Sequence, residues 1–209
     1  MVFITRCCKK LRLDGALRIV AMALVLFASG TSPAQSPSEV SQFKLERLDD
    51  EVLLSALLVF ELPSAVEDAL LKGIPMYFVT EAQVLRERWY WYDKKVSTAE
   101  RHMRLIFQPL TRRWRLNVTS GANREGNPGL VLNQSFDTLA QALTAIKRVS
   151  RWKIAEASDL DWSAKYRVDL QFRLDLSQLP RPFQIGAFGQ AEWDIGASIV
   201  SPLSADALK

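Results

Sequence analysis

The strongest constraint on the fold is a strict alternation of apolar and polar residues towards the C-terminal end of the chain. Every second residue is apolar: Val168, Leu170, Phe172, Leu174 and Leu176. The residues between them are charged or carry an amide: Arg167, Asp169, Gln171, Arg173 and Asp175. A strand with one apolar face is typical of an antiparallel sheet that covers a core on one side and meets water on the other. The alternation therefore argues against an all-parallel sheet.

Three further segments predict an antiparallel meander. Residues 76–92 are rich in aromatic and β-branched side chains and contain no proline or glycine, as expected of a long strand. Residues 103–108 and 113–119 read as the next two strands, with turn residues at each join. The dense apolar run 52–62 predicts one more strand, buried on both faces.

Two helices are expected between these strands. Ser64 and Glu67 have the spacing of a capping box, and Gly73 is placed to end the helix that follows. A second helix is expected to open at Ser135, with Asp137 near its positive end. Together the elements predict an α+β fold, an antiparallel β-sheet or open β-sandwich covered by two short helices.

The first 34 residues have the pattern of a secretory signal peptide. Basic residues precede an apolar run, 19–28, and Ser32-Pro33-Ala34 supplies small residues before an expected cleavage ahead of Gln35. The run falls short of the ~20 apolar residues that a spanning helix needs. The alternative is an uncleaved leader that anchors the chain in the inner membrane. Since no adjacent arginines precede the run, we expect the general secretion route and a periplasmic protein.

Removal of this leader changes the composition of the chain. It takes away the only cysteines, Cys7 and Cys8, which excludes a disulfide, a thiol nucleophile and a cysteine metal site. It also leaves 22 of the 27 basic and 22 of the 23 acidic residues. The remaining chain has no net positive charge, so its charge does not predict nucleic-acid binding. We expect a signal peptide (1–34), a tether (35–40), a single domain (41–200) and a loose tail (201–209).

The most suggestive surface feature is the run Trp89-Tyr90-Trp91-Tyr92, next to Arg88. On a strand the two tryptophans would share one face and the two tyrosines the other. If the tryptophans pack in the core, the tyrosines are free to stack on a sugar or a peptide. A strand packed on both faces is the alternative, and it is favoured because aromatic side chains dominate cores.

Residues 179–194 form a second candidate binding segment. Its two prolines predict an extended path, and its glycines permit sharp turns. Its candidate contact residues are Arg181, Phe183 and Trp193.

No residue pattern indicates catalysis. As a catalytic base His102 would need a nucleophile and an orienting carboxylate, and no sequence motif places them beside it. The acidic clusters do not match a calcium loop. We therefore predict no catalytic residue, no metal site and no cofactor. The alternative is a hydrolase of cell-envelope glycans that uses Asp159 or Asp161, although turn capping explains these acids better.

A basic cluster surrounds Trp152. It consists of Lys147, Arg148, Arg151 and Lys153. Contact with a membrane surface or an anionic partner is one interpretation; a solvated helix end is the favoured one.

Four motifs carry a resemblance to a known family. They are Gly73-Ile74-Pro75, Arg88-Trp89-x-Trp91, Ser135-Phe136-x-Thr138-Leu139 and Leu179-Pro180-x-Pro182. Together they resemble the DUF4390 family of exported proteobacterial proteins over nearly the whole mature chain. The family is uncharacterised, so the resemblance implies no catalytic residues. It implies an accessory role in envelope signalling, with a sensor histidine kinase as a candidate partner.

We therefore expect an exported domain that binds an envelope protein or glycan ligand without catalysis.

Overall fold

The alternating segment lies inside a six-stranded antiparallel sheet. The structure is a computed structural model that describes residues 38–90, 92–121, 130–187 and 193–203. The strands in these ranges are β1 (Glu39–Leu48), β2 (Glu51–Val59), β3 (Met76–Arg86), β4 (Lys94–Gln108), β5 (Arg113–Gly121), β6 (Leu130–Phe136), β7 (Arg148–Glu156), β8 (Tyr166–Leu174) and β9 (Gly196–Leu203). The α-helices are α1 (Ser64–Leu71), α2 (Leu139–Lys147) and α3 (Arg181–Ala187).

The strands form two open sheets. The larger has the order β6-β5-β4-β3-β8-β9, and the smaller has the order β1-β2-β7. Every neighbouring pair is antiparallel. Two open sheets with short helices confirm the predicted α+β class, and β3, β4 and β5 confirm the predicted meander.

Strand β8 divides its faces as its sequence predicts. Val168, Leu170, Phe172 and Leu174 are buried, while the side chains between them lie on the solvent side. There Arg173 is 3.7 Å from Glu81 on β3. The predicted strand extends two residues too far, because Leu176 begins a short 3₁₀ turn.

Three phenylalanine rings join the two sheets. Phe60 directly follows β2 of the small sheet, whereas Phe78 and Phe172 lie on β3 and β8 of the large one. The ring centroid of Phe172 is 5.1 Å from that of Phe60 and 5.8 Å from that of Phe78. All three side chains are 2% exposed or less. Stacked aromatic pairs add to the free energy gained from their burial, so this cluster is a main contact between the sheets.

Helix α1 starts differently from the prediction. Ser64 is its first helical residue, and its side chain makes no cap. The carbonyl of Pro63 accepts hydrogen bonds from the backbone N–H groups of Val66 and Glu67 instead, so the capping box is wrong. The predicted end is confirmed: Gly73 has φ +81°, a conformation that glycine adopts without strain.

Helix α2 begins four residues later than expected. Its N-cap is Thr138, whose hydroxyl accepts the N–H of Gln141 at 3.3 Å. Ser135 lies on β6, paired with Arg115 on β5. Pairing with β5 extends the strand to Phe136 and overrides the local helix signal.

The ends of the described domain also differ from the expected limits. Strand β1 begins at Glu39, inside the predicted tether, and β9 continues to Leu203, inside the predicted tail. Residues 181–187 form helix α3 rather than an extended path. Pro182 lies in its first turn, where the missing N–H breaks no helical hydrogen bond.

Truncation of the central ring tests the aromatic contact between the sheets. Phe172→Ala is expected to lower the free energy of unfolding by about 3–5 kcal/mol, because it leaves a cavity beside the rings of Phe60 and Phe78. Val200→Ala, at an exposed site on β9, is expected to change it by about 0.5 kcal/mol or less. Urea denaturation measures both, and similar values for the two variants would contradict the packing described.

Candidate binding surface

The aromatic run lies in the loop that joins β3 to β4. The last ladder pair of these strands is Arg86 with Lys94. The described residues of 87–93 have no partner strand, so the chain leaves the sheet and reverses. The prediction of a continuous strand to Tyr92 is therefore wrong. Trp91 lies outside the described residues.

The aromatic side chains of this loop point into solvent. Trp89 is 93% exposed, Tyr90 68% and Tyr92 88%. The predicted separation into a tryptophan face and a tyrosine face is wrong for these residues, as is a strand packed on both faces. The rings of Trp89 and Tyr90 contact each other edge to face, with centroids 5.0 Å apart. We call Trp89, Tyr90 and Tyr92 the aromatic tip.

Backbone and carboxylate contacts hold both sides of the aromatic tip. The N–H of Glu87 donates to the carbonyl of Lys165 at 2.9 Å. One carboxylate oxygen of Asp93 accepts the N–H of Arg88 at 3.3 Å, and the other is 2.8 Å from Arg167 on β8. An anchored loop presents its aromatic side chains at a smaller entropy cost than a free one.

Asp159 and Asp161, the acids of the hydrolase alternative, share one open depression beside this loop. Its volume is about 380 Å³, and Arg86, Lys94 and Lys95 also line it. His102 lies elsewhere, on the solvent face of β4, with Nε2 3.1 Å from Glu100. The structure brings the two acids together but leaves the histidine apart.

Asp161 has the electrostatics of a structural ion pair. The hydroxyl of Ser163 donates to its Oδ1 at 2.6 Å and the backbone N–H of Ser163 at 3.1 Å, while Arg86 is 3.2 Å from Oδ2. The hydrogen bonds from Ser163, together with Arg86, lower the pKa of the Asp161 carboxyl below its ordinary value. A general acid needs a raised pKa, so Asp161 is tuned in the opposite direction.

The described part of the second candidate segment lies at the other end of the large sheet, whereas residues 188–192 lie outside the described residues. Its α3 follows the C-terminal end of β8, where Leu174 pairs with Phe78, whereas the aromatic tip follows Arg86. At ~3.3 Å per residue these β3 positions are about 26 Å apart. Arg181 is exposed and Phe183 packs partly against the core. Trp193 is only 7% exposed, so it supports the fold from this position.

Comparison of the chain with known families gives the same family as the four sequence motifs. A family model matches residues 35–201. The chain belongs to the DUF4390 family. The description of DUF4390 is a domain of unknown function. No curated protein and no solved structure matches this chain.

The described part of this DUF4390 domain contains no metal-holding cluster and no membrane-spanning helix. In the described ranges no group of three or more histidine, cysteine, aspartate or glutamate side chains is arranged to hold a metal ion. The helices in those ranges are all too short or too polar to cross a membrane.

The sequence contained one signal for the exposed tip. Glu87 and Arg88 interrupt the apolar pattern of β3, and consecutive charges at the end of a strand favour a turn over continued pairing.

Titration tests the role of Asp161. Its carboxyl is expected to titrate below the ordinary aspartate pKa, and Ser163→Ala should raise that pKa by removing the hydroxyl donor. Because the folded-state pKa is lowered, the stabilising effect is present above the unfolded pKa and is lost as the pH falls through the folded one. NMR of the carboxyl carbon measures this. A pKa above the ordinary value would contradict the assignment and favour an acid catalyst; Ser198→Ala is the control.

Proposed function

We propose that this DUF4390 domain is exported to the periplasm and binds a protein of the cell envelope through the aromatic tip, without catalysis. The observation that carries the proposal is the exposure of Trp89, Tyr90 and Tyr92 on an anchored loop. Large aromatic side chains held in water gain free energy when a partner covers them. Exposed apolar groups of this kind mark interaction sites.

The shape of the surface favours a protein partner over a small glycan. Ligands of small size bind in concave sites that enclose most of their surface. The aromatic tip is instead the end of a hairpin loop, so it suits insertion into a pocket of a larger partner. Tryptophan, tyrosine and arginine are also the residue types that dominate binding energy at protein interfaces, and Arg88 is exposed beside the tip.

The hydrolase alternative has weaker support. Asp159 and Asp161 share a depression, but Asp161 is held as a carboxylate by Ser163 and Arg86. A pair of catalytic carboxyls needs one member that keeps its proton near neutral pH.

Export is supported by the leader pattern and by the limits of the family match. The match begins at residue 35, the expected first residue after cleavage at Ala34. The resemblance to DUF4390 favours a sensor histidine kinase as the envelope partner, which would make the domain an accessory to signalling.

Cross-linking in intact cells tests the aromatic tip. A photoreactive phenylalanine derivative in place of Tyr90 is expected to give a discrete cross-linked protein, and Trp89→Ala in the same chain should reduce its yield about ten-fold. The melting temperature should stay unchanged, because Trp89 makes no core contact. The same probe at Thr119, on the exposed outer face of β5, should give no product.

Leu110→Ala is the matched control for Trp89→Ala. Leu110 is an exposed apolar residue in the turn between β4 and β5, so its loss should leave the cross-link intact. An equal effect of both variants would contradict a specific tip. Tip-dependent binding to lipid vesicles with no protein product would overturn the protein partner in favour of a membrane surface.

The N-terminus of the exported protein tests the leader. We expect the chain isolated from the periplasm to begin at Gln35, and Ala34→Arg to block cleavage because the site requires a small residue. Intact mass spectrometry gives the result. A chain that keeps its leader and fractionates with the inner membrane would show that the leader is an anchor.

A further inference from the structure

A second surface of the domain is a basic groove on the small sheet. It lies where the C-terminal end of α2 meets β2 and β7, and its volume is about 710 Å³. Its lining residues come from β1, β2, α2 and β7: Gln42, Ser55, Ala56, Leu57, Thr144, Lys147, Arg148, Val149, Ser150 and Arg151. No acidic side chain is among them. The basic groove contains three of the four cations that the sequence groups around Trp152.

Two strand irregularities flank the basic groove. The β1–β2 register shifts between Ser41 and Lys44, and the β2–β7 register shifts between Leu54 and Ala56. At these bulges Gln42 has φ +49° and Arg151 has φ +45°. Bulges re-aim side chains and are enriched beside functional sites.

The backbone conformation of Gln42 and Arg151 sets them apart. Among the described residues, the other two non-glycine positions with positive φ are Asp49 and Arg112. Asp49 lies in the β1–β2 turn and Arg112 in the β4–β5 turn, where chain reversal accounts for the conformation. Gln42 and Arg151 lie within strands, and both line the basic groove. Left-handed backbone of this kind is strained for a residue other than glycine, and it concentrates at ligand sites.

Ser55 fixes the bulge on β7. Its Oγ accepts the backbone N–H of Arg151 at 3.0 Å. This hydrogen bond replaces a ladder contact that the register shift removes, so the Arg151 side chain is held at the groove rather than along the strand.

The three cations of the basic groove form no close ion pair with a described residue. Arg151 nevertheless contributes, after Lys44, to the lowered pKa of the exposed Glu46 carboxyl. Within the described ranges, Lys147, Arg148 and Arg151 have no carboxylate at ion-pair distance. The Nζ of Lys147 lies 4.9 Å from the ring centre of Phe60, and the Nε of Arg148 donates to Ser150 Oγ at 3.2 Å.

Two lysines next to the basic groove form ion pairs with carboxylates, unlike the cations inside it. Lys153, also on β7, is 2.9 Å from Glu51 and 3.5 Å from Glu156. Lys44, on β1, is 2.6 Å from Glu46. Two cations beside the basic groove are therefore ion-paired, whereas the three inside it have no carboxylate at ion-pair distance in the described ranges.

We propose that the basic groove binds a phosphate-bearing ligand, with the phosphate held by Lys147, Arg148 and Arg151. Guanidinium groups pair with phosphate oxygens through two parallel hydrogen bonds. Three cations also suit the two negative charges of a phosphate monoester better than they suit the single negative charge of a carboxylate. The hydroxyls of Ser55 and Ser150 accept N–H groups of Arg151 and Arg148, which leaves their own hydrogens to donate to a phosphate oxygen. The apolar floor of Ala56, Leu57 and Val149 takes the body of the ligand. A sugar phosphate and a phospholipid headgroup share this chemistry.

Paired arginine-to-glycine variants test the proposal. Arg151→Gly removes a groove cation, and Arg112→Gly makes the same change at a positive-φ site outside the groove. Both should raise the melting temperature, because glycine adopts this backbone without strain. Titration calorimetry with glucose 1-phosphate should show about ten-fold weaker binding for Arg151→Gly and no change for Arg112→Gly. Arg148→Ala, which leaves the backbone as it is, should weaken binding similarly.

Further probes identify the source and the chemistry of the ligand. Phosphatidylcholine vesicles with and without phosphatidic acid test a lipid source, and binding that needs phosphatidic acid and is weakened in Arg151→Gly supports it. Binding of neither probe, or equal loss in both glycine variants, would overturn the site. Binding of glucuronate as tight as that of glucose 1-phosphate would overturn the phosphate assignment.

Discussion

The cluster of Phe60, Phe78 and Phe172 is the interaction on which the rest of this domain depends. Phe60 directly follows β2 of the small sheet, and its two partners lie on the adjacent strands β3 and β8 of the large one. A sheet with one apolar face needs a second layer to cover that face. The three rings supply the contact at which the two layers meet, and the strands then extend away from it towards solvent.

Both candidate binding surfaces form where regular strand pairing stops. The aromatic tip begins where β3 and β4 lose their partners, and the basic groove lies beside two bulges in the small sheet. Regular pairing uses the backbone groups of a strand and fixes the direction of its side chains. In a loop or a bulge the backbone is not paired in this way, and the side chains are free to take other directions. Trp89 and Arg151 therefore point in directions that a regular strand would not allow, while the paired strands around them stay rigid.

The sequence predicted what depends on local pattern and missed what depends on distant partners. The period-two alternation of β8 was sufficient for the antiparallel class, because burial of one face leaves a direct trace in the residue order. The helix start at Ser135 was wrong because pairing with β5, which no local pattern encodes, extends β6 to Phe136. The exposure of Trp89 was missed for a related reason: an aromatic residue looks the same in a core strand and at a loop end. The bulge at Arg151 left no recognisable signal, since nothing in its residue type indicates a left-handed backbone.

Phe60 belongs both to the core and to the floor beneath a cation. Its ring packs against Phe172 on one side, and the ammonium of Lys147 lies over it. Because the face of the ring attracts the ammonium electrostatically, the orientation of the ring influences how strongly Lys147 is held. A substitution that repacks the core, such as leucine for Phe60, would change the charge environment of a surface site without touching any residue exposed there. Because the core and the basic groove share the Phe60 side chain, a substitution at this position affects both of them.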